Sequence, residues 1–268
     1  MRTISRALGI LAGTALVAAL AVPVAADSHD VAMLRVVHAS PDAPNVDVWV
    51  DGETVLTDVP FTAVSDYLSV PAGTYNVQVT ATGDTTPVID ADLTLEGGTA
   101  YTVAAHGLLA DITAAVFTDD TAIADGQAKL RAIHLSPSAP ADVDIAVTGG
   151  DVVVPGLAYP EASGYLTLDA GDYPLEIRAA GDPAAALEFD VTLEANTNYT
   201  AFAMDAEDGV QVIAAVDAQQ ADMPNTALAP AAGVSPTLLA GIVLIGLAIL
   251  TAVRTFTAVR SFAPARER

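Results

Sequence analysis

The sequence predicts an all-β protein: two tandem antiparallel β-sandwiches, between an N-terminal signal peptide and a C-terminal transmembrane helix. Three observations predict it. A unit of about 90 residues occurs twice. Within each unit, apolar and polar residues alternate with a period of two between turn signals. Between the two ends of the chain, no stretch has a convincing helical period.

The repeat is read from matched residues. Leu34-Arg35-Val36-Val37-His38-Ala39-Ser40-Pro41-Asp42-Ala43-Pro44 matches Leu130-Arg131-Ala132-Ile133-His134-Leu135-Ser136-Pro137-Ser138-Ala139-Pro140 at an offset of 96. Asp47 matches Asp144 at 97. Tyr67-Leu68, Ala72-Gly73, Tyr75, Leu95-Glu96 and Tyr101 match Tyr165-Leu166, Ala170-Gly171, Tyr173, Leu193-Glu194 and Tyr199 at 98. Two small insertions account for the drift.

The chain begins with a secretory signal. Arg2 and Arg6 precede an apolar stretch over 8–22, and Val24-Ala25-Ala26 supplies small residues for cleavage after Ala26. The first repeat occupies 27–120. Residues 34–38 form an apolar strand stopped by Ser-Pro. Val46, Val48 and Val50 alternate with Asp47 and Trp49 before an Asp51-Gly52 turn. A strand over 67–70 precedes Pro71-Ala72-Gly73. Tyr75, Val77 and Val79 alternate with polar residues, as do Ile89, Ala91, Leu93 and Leu95. After Glu96-Gly97-Gly98 come strands over 101–105 and 112–117. A linker over 121–129 leads to the second repeat, 130–219. Short strands at this spacing, one face apolar, suit immunoglobulin-like sandwiches.

Residues 220–236 form a Pro/Ala-rich stalk. Residues 237–253 are uncharged and near the lower limit of about 17–25 residues for a spanning helix. Arg254, Arg260, Arg266 and Arg268 make 254–268 a basic tail, cytoplasmic by the positive-inside rule. The protein is therefore expected to be secreted across the cytoplasmic membrane and held at the cell surface as a single-pass protein, its N-terminal part outside. Met223-Pro224-Asn225-Thr226-Ala227 with the apolar stretch and basic tail resembles a Gram-positive sortase signal, Leu-Pro-x-Thr-Gly. Pro224 and Thr226 match and make these the candidate sorting residues. Met223 and Ala227 depart from the pattern, and a plain stalk accounts for the composition equally well.

Charge narrows the function. The chain has 10 Lys+Arg, 33 Asp+Glu and no Cys. Outside the signal and the tail, only Arg35, Lys129, Arg131 and Arg178 are basic, against all but one of the acids. Such a surface repels phosphates, which excludes nucleic acid as a partner. The lack of Cys excludes disulfides, thiolate zinc sites and Cys nucleophiles. The acidity fits either a high-salt habitat or a surface that holds divalent cations.

The run His38-Ala39-Ser40-Pro41-Asp42-Ala43-Pro44, then Val46-Asp47-Val48-Trp49-Val50-Asp51-Gly52, Asp66-Tyr67-Leu68 and Pro71-Ala72-Gly73-Thr74-Tyr75, resembles the prokaryotic cell-surface proteins of domain-of-unknown-function family 4397. The resemblance covers about residues 33–219. The second repeat departs from it, with Ser138 in place of Asp and no Asp-Gly turn. The resemblance implies secreted or surface-anchored β-sandwich modules, often in tandem, and brings no established activity.

Candidate chemistry is sparse. His38 and His134 each stand two residues before a Ser, but no Gly-x-Ser-x-Gly elbow is present. A strand-end His that holds the Ser-Pro turn is the favoured reading. His29, His38, His106 and His134 lack zinc-ligand spacing. Calcium takes 6–8 oxygen ligands, and the candidates for it are Asp42, Asn45 and Asp47 at a strand–loop junction and Asp119, Asp120 and Asp125 at the linker. Solvated acidic loops explain the same residues without an ion. No other cofactor is implied. Trp49, the single Trp, is either a platform for a sugar or partner or a packed side chain. Asn198-Tyr199-Thr200 is a glycosylation sequon. The expected function is non-catalytic: two modules presented for adhesion, ligand binding or envelope structure. Their expected partners are the membrane, through the C-terminal helix, and an unknown surface protein or glycan. The alternatives are a secreted hydrolase using loop carboxylates and a purely structural envelope spacer.

Overall fold

A computed structural model describes residues 31–220 and the pair 255–256. The signal peptide, the stalk with Pro224 and Thr226, and the helix expected at 237–253 lie outside the described residues. Among the described residues no helix is long and apolar enough to cross a membrane.

The first repeat contributes β1 (Val31–Ala39), β2 (Val46–Val50), β3 (Glu53–Val59), β4 (Leu68–Pro71), β5 (Gly73–Ala81), β6 (Pro87–Leu95), β7 (Ala100–His106) and β8 (Thr113–Asp119). The second contributes β9 (Gln127–His134), β10 (Asp142–Val147), β11 (Val152–Ala158), β12 (Leu166–Asp169), β13 (Gly171–Ala179), β14 (Ala185–Leu193), β15 (Thr197–Ala206) and β16 (Gly209–Gln219). A two-residue strand, β17 (Thr255–Phe256), pairs with Ile213 and Val212 of β16. The first repeat forms sheets of order β3-β2-β5-β6 and β4-β1-β7-β8. The second forms β11-β10-β13-β14 and β12-β9-β15-β16-β17.

Two local expectations are corrected. β3 and its counterpart β11 were not foreseen. Most of their residues are exposed, so neither carries the alternation that a half-buried strand imposes on sequence. β3 exists because Asp51 and Gly52 both take positive φ, 49° and 81°, which folds β2 back on its own twist. Two of the four sheets are also mixed rather than purely antiparallel. β1 runs antiparallel to β4 but parallel to β7, and β9 pairs with β12 and β15 in the same way. β1 and β9 are buried along nearly their whole length, and such strands read as apolar runs with no directional signal.

That burial has a cause beyond either repeat. On β1, Leu34 and Val36 face the interior of the first sandwich, whereas Val37 and Ala39 face the second repeat. The sheets containing β1 and β9 lie against each other, giving four layers. Val37, Ala39, Ala104, Ile133, Leu135, Phe202, Met204 and Ile213 form the core between the repeats. The interior of the second sandwich is a single cluster, in which Leu175, Ile177, Leu187 and Phe189 meet Val143 and Ile145. The interior of the first is split in two, around Leu34 and Leu95 at one end and Val46, Val79 and Ile89 at the other.

The connection between repeats is clamped. β8 ends at Asp119 and β9 begins at Gln127. Lys129 Nζ donates to the Asp120 carboxylate at 2.7 Å and to the Ala122 carbonyl at 2.6 Å. Asn198 Nδ2 donates to the carbonyls of Asp120 and Ala122 at 2.7 and 3.1 Å. Asn198 is fully buried by these bonds, so the folded protein offers no glycan acceptor at the sequon.

Candidate functional site

The densest polar site is the seam between the repeats. Strand alternation turns Arg35 out of the first sandwich and toward β16 of the second repeat. Arg35 Nη2 donates to Asp217 Oδ1 at 2.7 Å and to Thr102 Oγ1 at 2.8 Å, and Nη1 reaches the Val216 carbonyl at 3.4 Å. Arg131 repeats the arrangement from the other side. Its Nη2 binds Asp119 of the first repeat, Nη1 donates to the Thr118 carbonyl at 2.9 Å, and Nε donates to Thr200 Oγ1 at 2.8 Å. Each repeat thus supplies an arginine to the other's carboxylate.

The remaining acceptor positions are filled. Asp119 Oδ2 accepts from Tyr67 Oη at 2.5 Å and Thr102 Oγ1 at 2.7 Å. Asp217 Oδ2 accepts from Tyr165 Oη and Thr200 Oγ1, both at 2.6 Å. The Arg35 guanidinium lies 4.7 Å from the Tyr67 ring centre, and that of Arg131 lies 4.9 Å from Tyr165. Both arginines and both carboxylates are buried. Charges in such a place persist only when paired and hydrogen-bonded, and here two of each sign balance. Burial pushes both tyrosine hydroxyls above their ordinary value, which keeps them as donors. The site holds the repeats together, and every group in it is spent on that task.

Sequence reasoning singled out Asp119 as a calcium ligand and missed Asp217 altogether. A signal was present: two of the four basic residues between the expected signal peptide and the basic tail, Arg35 and Arg131, occupy equivalent repeat positions in a highly acidic chain.

The other calcium candidates are dispersed over separate tasks. Asp42 Oδ1 accepts from Leu109 N at 2.7 Å. Asn45 Nδ2 donates to Asp58 Oδ1 at 2.8 Å. Asp47 accepts from Asp58 N, Thr82 Oγ1 and Gly83 N at 2.8, 3.1 and 3.2 Å, and the Asp58 N–H leads in holding its pKa below the usual range. Asp120 is paired with Lys129, and Asp125 is exposed on the connection. Among the described residues, no group of three or more His, Asp or Glu is placed to hold a metal ion. Trp49 is half-buried on the outer face of its sheet, and its Nε1 donates to Thr80 Oγ1 at 3.1 Å.

The signature histidines are clasps. His38 Nε2 lies 3.1 Å from the Pro44 carbonyl, and His134 Nε2 lies 3.0 Å from that of Pro140. Each Nδ1 accepts from the backbone N–H two residues on, Ser40 or Ser136, at 3.4 Å. The ring is therefore neutral with its proton on Nε2, and it closes the Ser-Pro loop across six residues. Neither ring bonds the neighbouring Ser hydroxyl. The Ser136 hydroxyl instead binds Asp205, and Ser40 Oγ is buried without a partner. His106 Nδ1 lies 2.8 Å from the Tyr159 hydroxyl of the other repeat.

Burial lowers the pKa of His38, His106 and His134 below the ordinary 6.5. The unfolded chain binds these protons more readily than the folded one. Their contribution to stability is therefore full above about pH 6.5 and is lost as pH falls toward the folded-state values. The denaturant midpoint should drop between pH 7 and pH 5, with net proton uptake on unfolding. A midpoint constant over that range would contradict the neutral, buried assignment.

These features define a class: a double β-sandwich whose two repeats are fused by reciprocal arginine–carboxylate pairs and whose signature loops are closed by histidine. The chain belongs to the family described as "Domain of unknown function (DUF4397)", whose model matches residues 32–146 and 141–236. No curated protein matches the chain. Among the solved structures that match are two distant ones. "The Bacillus anthracis TIE protein" is 14% identical over 63% of this chain, with a TM-score of 0.22. The chain spans 33% of the length of that structure. The family 26 carbohydrate-binding module CBMbc from Eubacterium rectale Amy13K, in complex with maltoheptaose, is 10% identical over 68% of this chain and 95% of its own, with a TM-score of 0.25. At these scores the likenesses carry no functional weight.

Proposed function

We propose that the chain is a non-catalytic surface protein. Its two sandwiches are displayed outside the cytoplasmic membrane as one stiff body, for adhesion, ligand binding or envelope structure. The observation that carries this reading is the reciprocal Arg35–Asp217 and Arg131–Asp119 pairing, which joins two modules that a bare linker would leave free to swing. A hydrolase needs a cleft with a carboxylate of perturbed pKa. The cavities inside the two sandwiches are lined almost wholly by hydrocarbon. A third, more open space of about 410 Å3 between the repeats is lined in part by Arg131, Glu161, Ser163 and Tyr165, of which Arg131 and Tyr165 are already bound to Asp119 and Asp217. Retention at the surface rests on the apolar stretch 237–253 and the basic tail, or on sorting at Pro224 and Thr226. The pairing of Thr255 and Phe256 with β16 stands against a tail across the membrane, and the fate of the terminal epitope below decides between the two.

Protease treatment of intact cells tests the reading. It should release residues 31–220 as one resistant fragment by cutting within 221–236, and leave an epitope placed after Arg268 protected. Digestion only after lysis would refute surface display. Simultaneous loss of the terminal epitope would place the tail outside.

A further inference from the structure

The two sandwiches are not equally filled. A cavity of about 210 Å3 runs between the sheets of the first, walled by Leu34, Val48, Val79 and Val103. The corresponding space in the second is about 100 Å3. The difference traces to the edge strands. Phe189 of β14 is buried in the second sandwich, and the residue 98 positions earlier, at the same place on β6, is Ala91. Ala91 is exposed although it lines the cavity, as is Val116 of β8 on the opposite lip. The first sandwich therefore has more free space where Phe189 partly fills the second, and its core is correspondingly split.

We propose that this cavity is a binding site for a linear alkyl chain bearing a cationic or uncharged head group. Apolar cavities of about 150 Å3 remain dry and take up benzene, so a larger hydrocarbon-lined space is competent for an alkyl chain. The rim selects the head group. Asp92 is the one charged residue lining the cavity, and the strands at its open edges, β3, β4, β6 and β8, contain no Lys or Arg. A carboxylate head would meet only like charge there, whereas an ammonium head is attracted. The inference goes beyond display and stands wherever the chain resides.

Calorimetry on the full-length protein with n-alkylammonium ions of four to ten carbons tests it. Affinity should rise roughly fourfold per added methylene until the cavity is full, the factor equivalent to burying one methylene group. Alkanoates of equal length should bind about tenfold more weakly at low salt, and this gap should shrink as salt is added. Ala91→Phe, which copies the plug of the second repeat, should abolish binding. Val116→Phe narrows the other lip at an exposed position and should weaken binding even if the first variant folds poorly. Absence of binding to the parent protein would overturn the proposal. So would equal binding to all three proteins, which would place the ligand elsewhere, or equal affinity for alkanoates.

Discussion

Replacing Arg35 with Met is expected to cost about 3–5 kcal/mol, a large share of the roughly 5–15 kcal/mol available to a folded protein. The size follows from what is left behind. Asp217 would keep its two hydroxyl donors, Tyr165 and Thr200, but would lose the cation that neutralises it in a fully buried place. Arg131→Met should cost less, because Asp119 keeps Arg35 Nη2 at 3.6 Å along with its two hydroxyl donors. The double variant Arg35→Met with Asp217→Leu should recover much of the loss, because a buried pair replaced by hydrocarbon is often close to neutral. A double-mutant cycle on denaturant unfolding measures this. A single-variant cost below about 1 kcal/mol would mean that water reaches the seam and the repeats are not locked by it.

Phe189→Ala should destabilise by about 3–5 kcal/mol, the usual range for deleting a buried aromatic ring. Phe189 belongs to the one continuous core of the second sandwich, and its loss gives that sandwich the gap already present in the first. The effect should be confined to packing, with the denaturant slope unchanged. A cost under about 1 kcal/mol would show that the sheets close over the space. The first sandwich would then be expected to close in the same way.

Much of each repeat was legible as sequence. The duplicated His-x-Ser-Pro run, the Asp51-Gly52 turn and the alternation on β2, β5 and β6 are local patterns set by one buried face and by turn stereochemistry. The histidine clasp was legible too, since a ring and a carbonyl six residues apart close a loop without help from elsewhere. The exposed strands β3 and β11 were not legible, because water lies on most of their surface and imposes no period. The partners of Asp119 were not legible, because an acid beside a linker looks solvated until its partners are known.

By itself, then, the sequence determined that this is a duplicated, acidic, all-β protein whose repeats share one local design. Those properties reside in charge counts, spacing and short-range periodicity. Only the tertiary structure decided that β1 runs parallel to β7, that two sheets press face to face, and that Arg35 meets Asp217 from 182 positions away. The physical reason is that a residue's type records how deeply it is buried but not against what. A strand buried on both faces looks the same whether its second cover is a helix, a sheet of its own module or its own repeated copy.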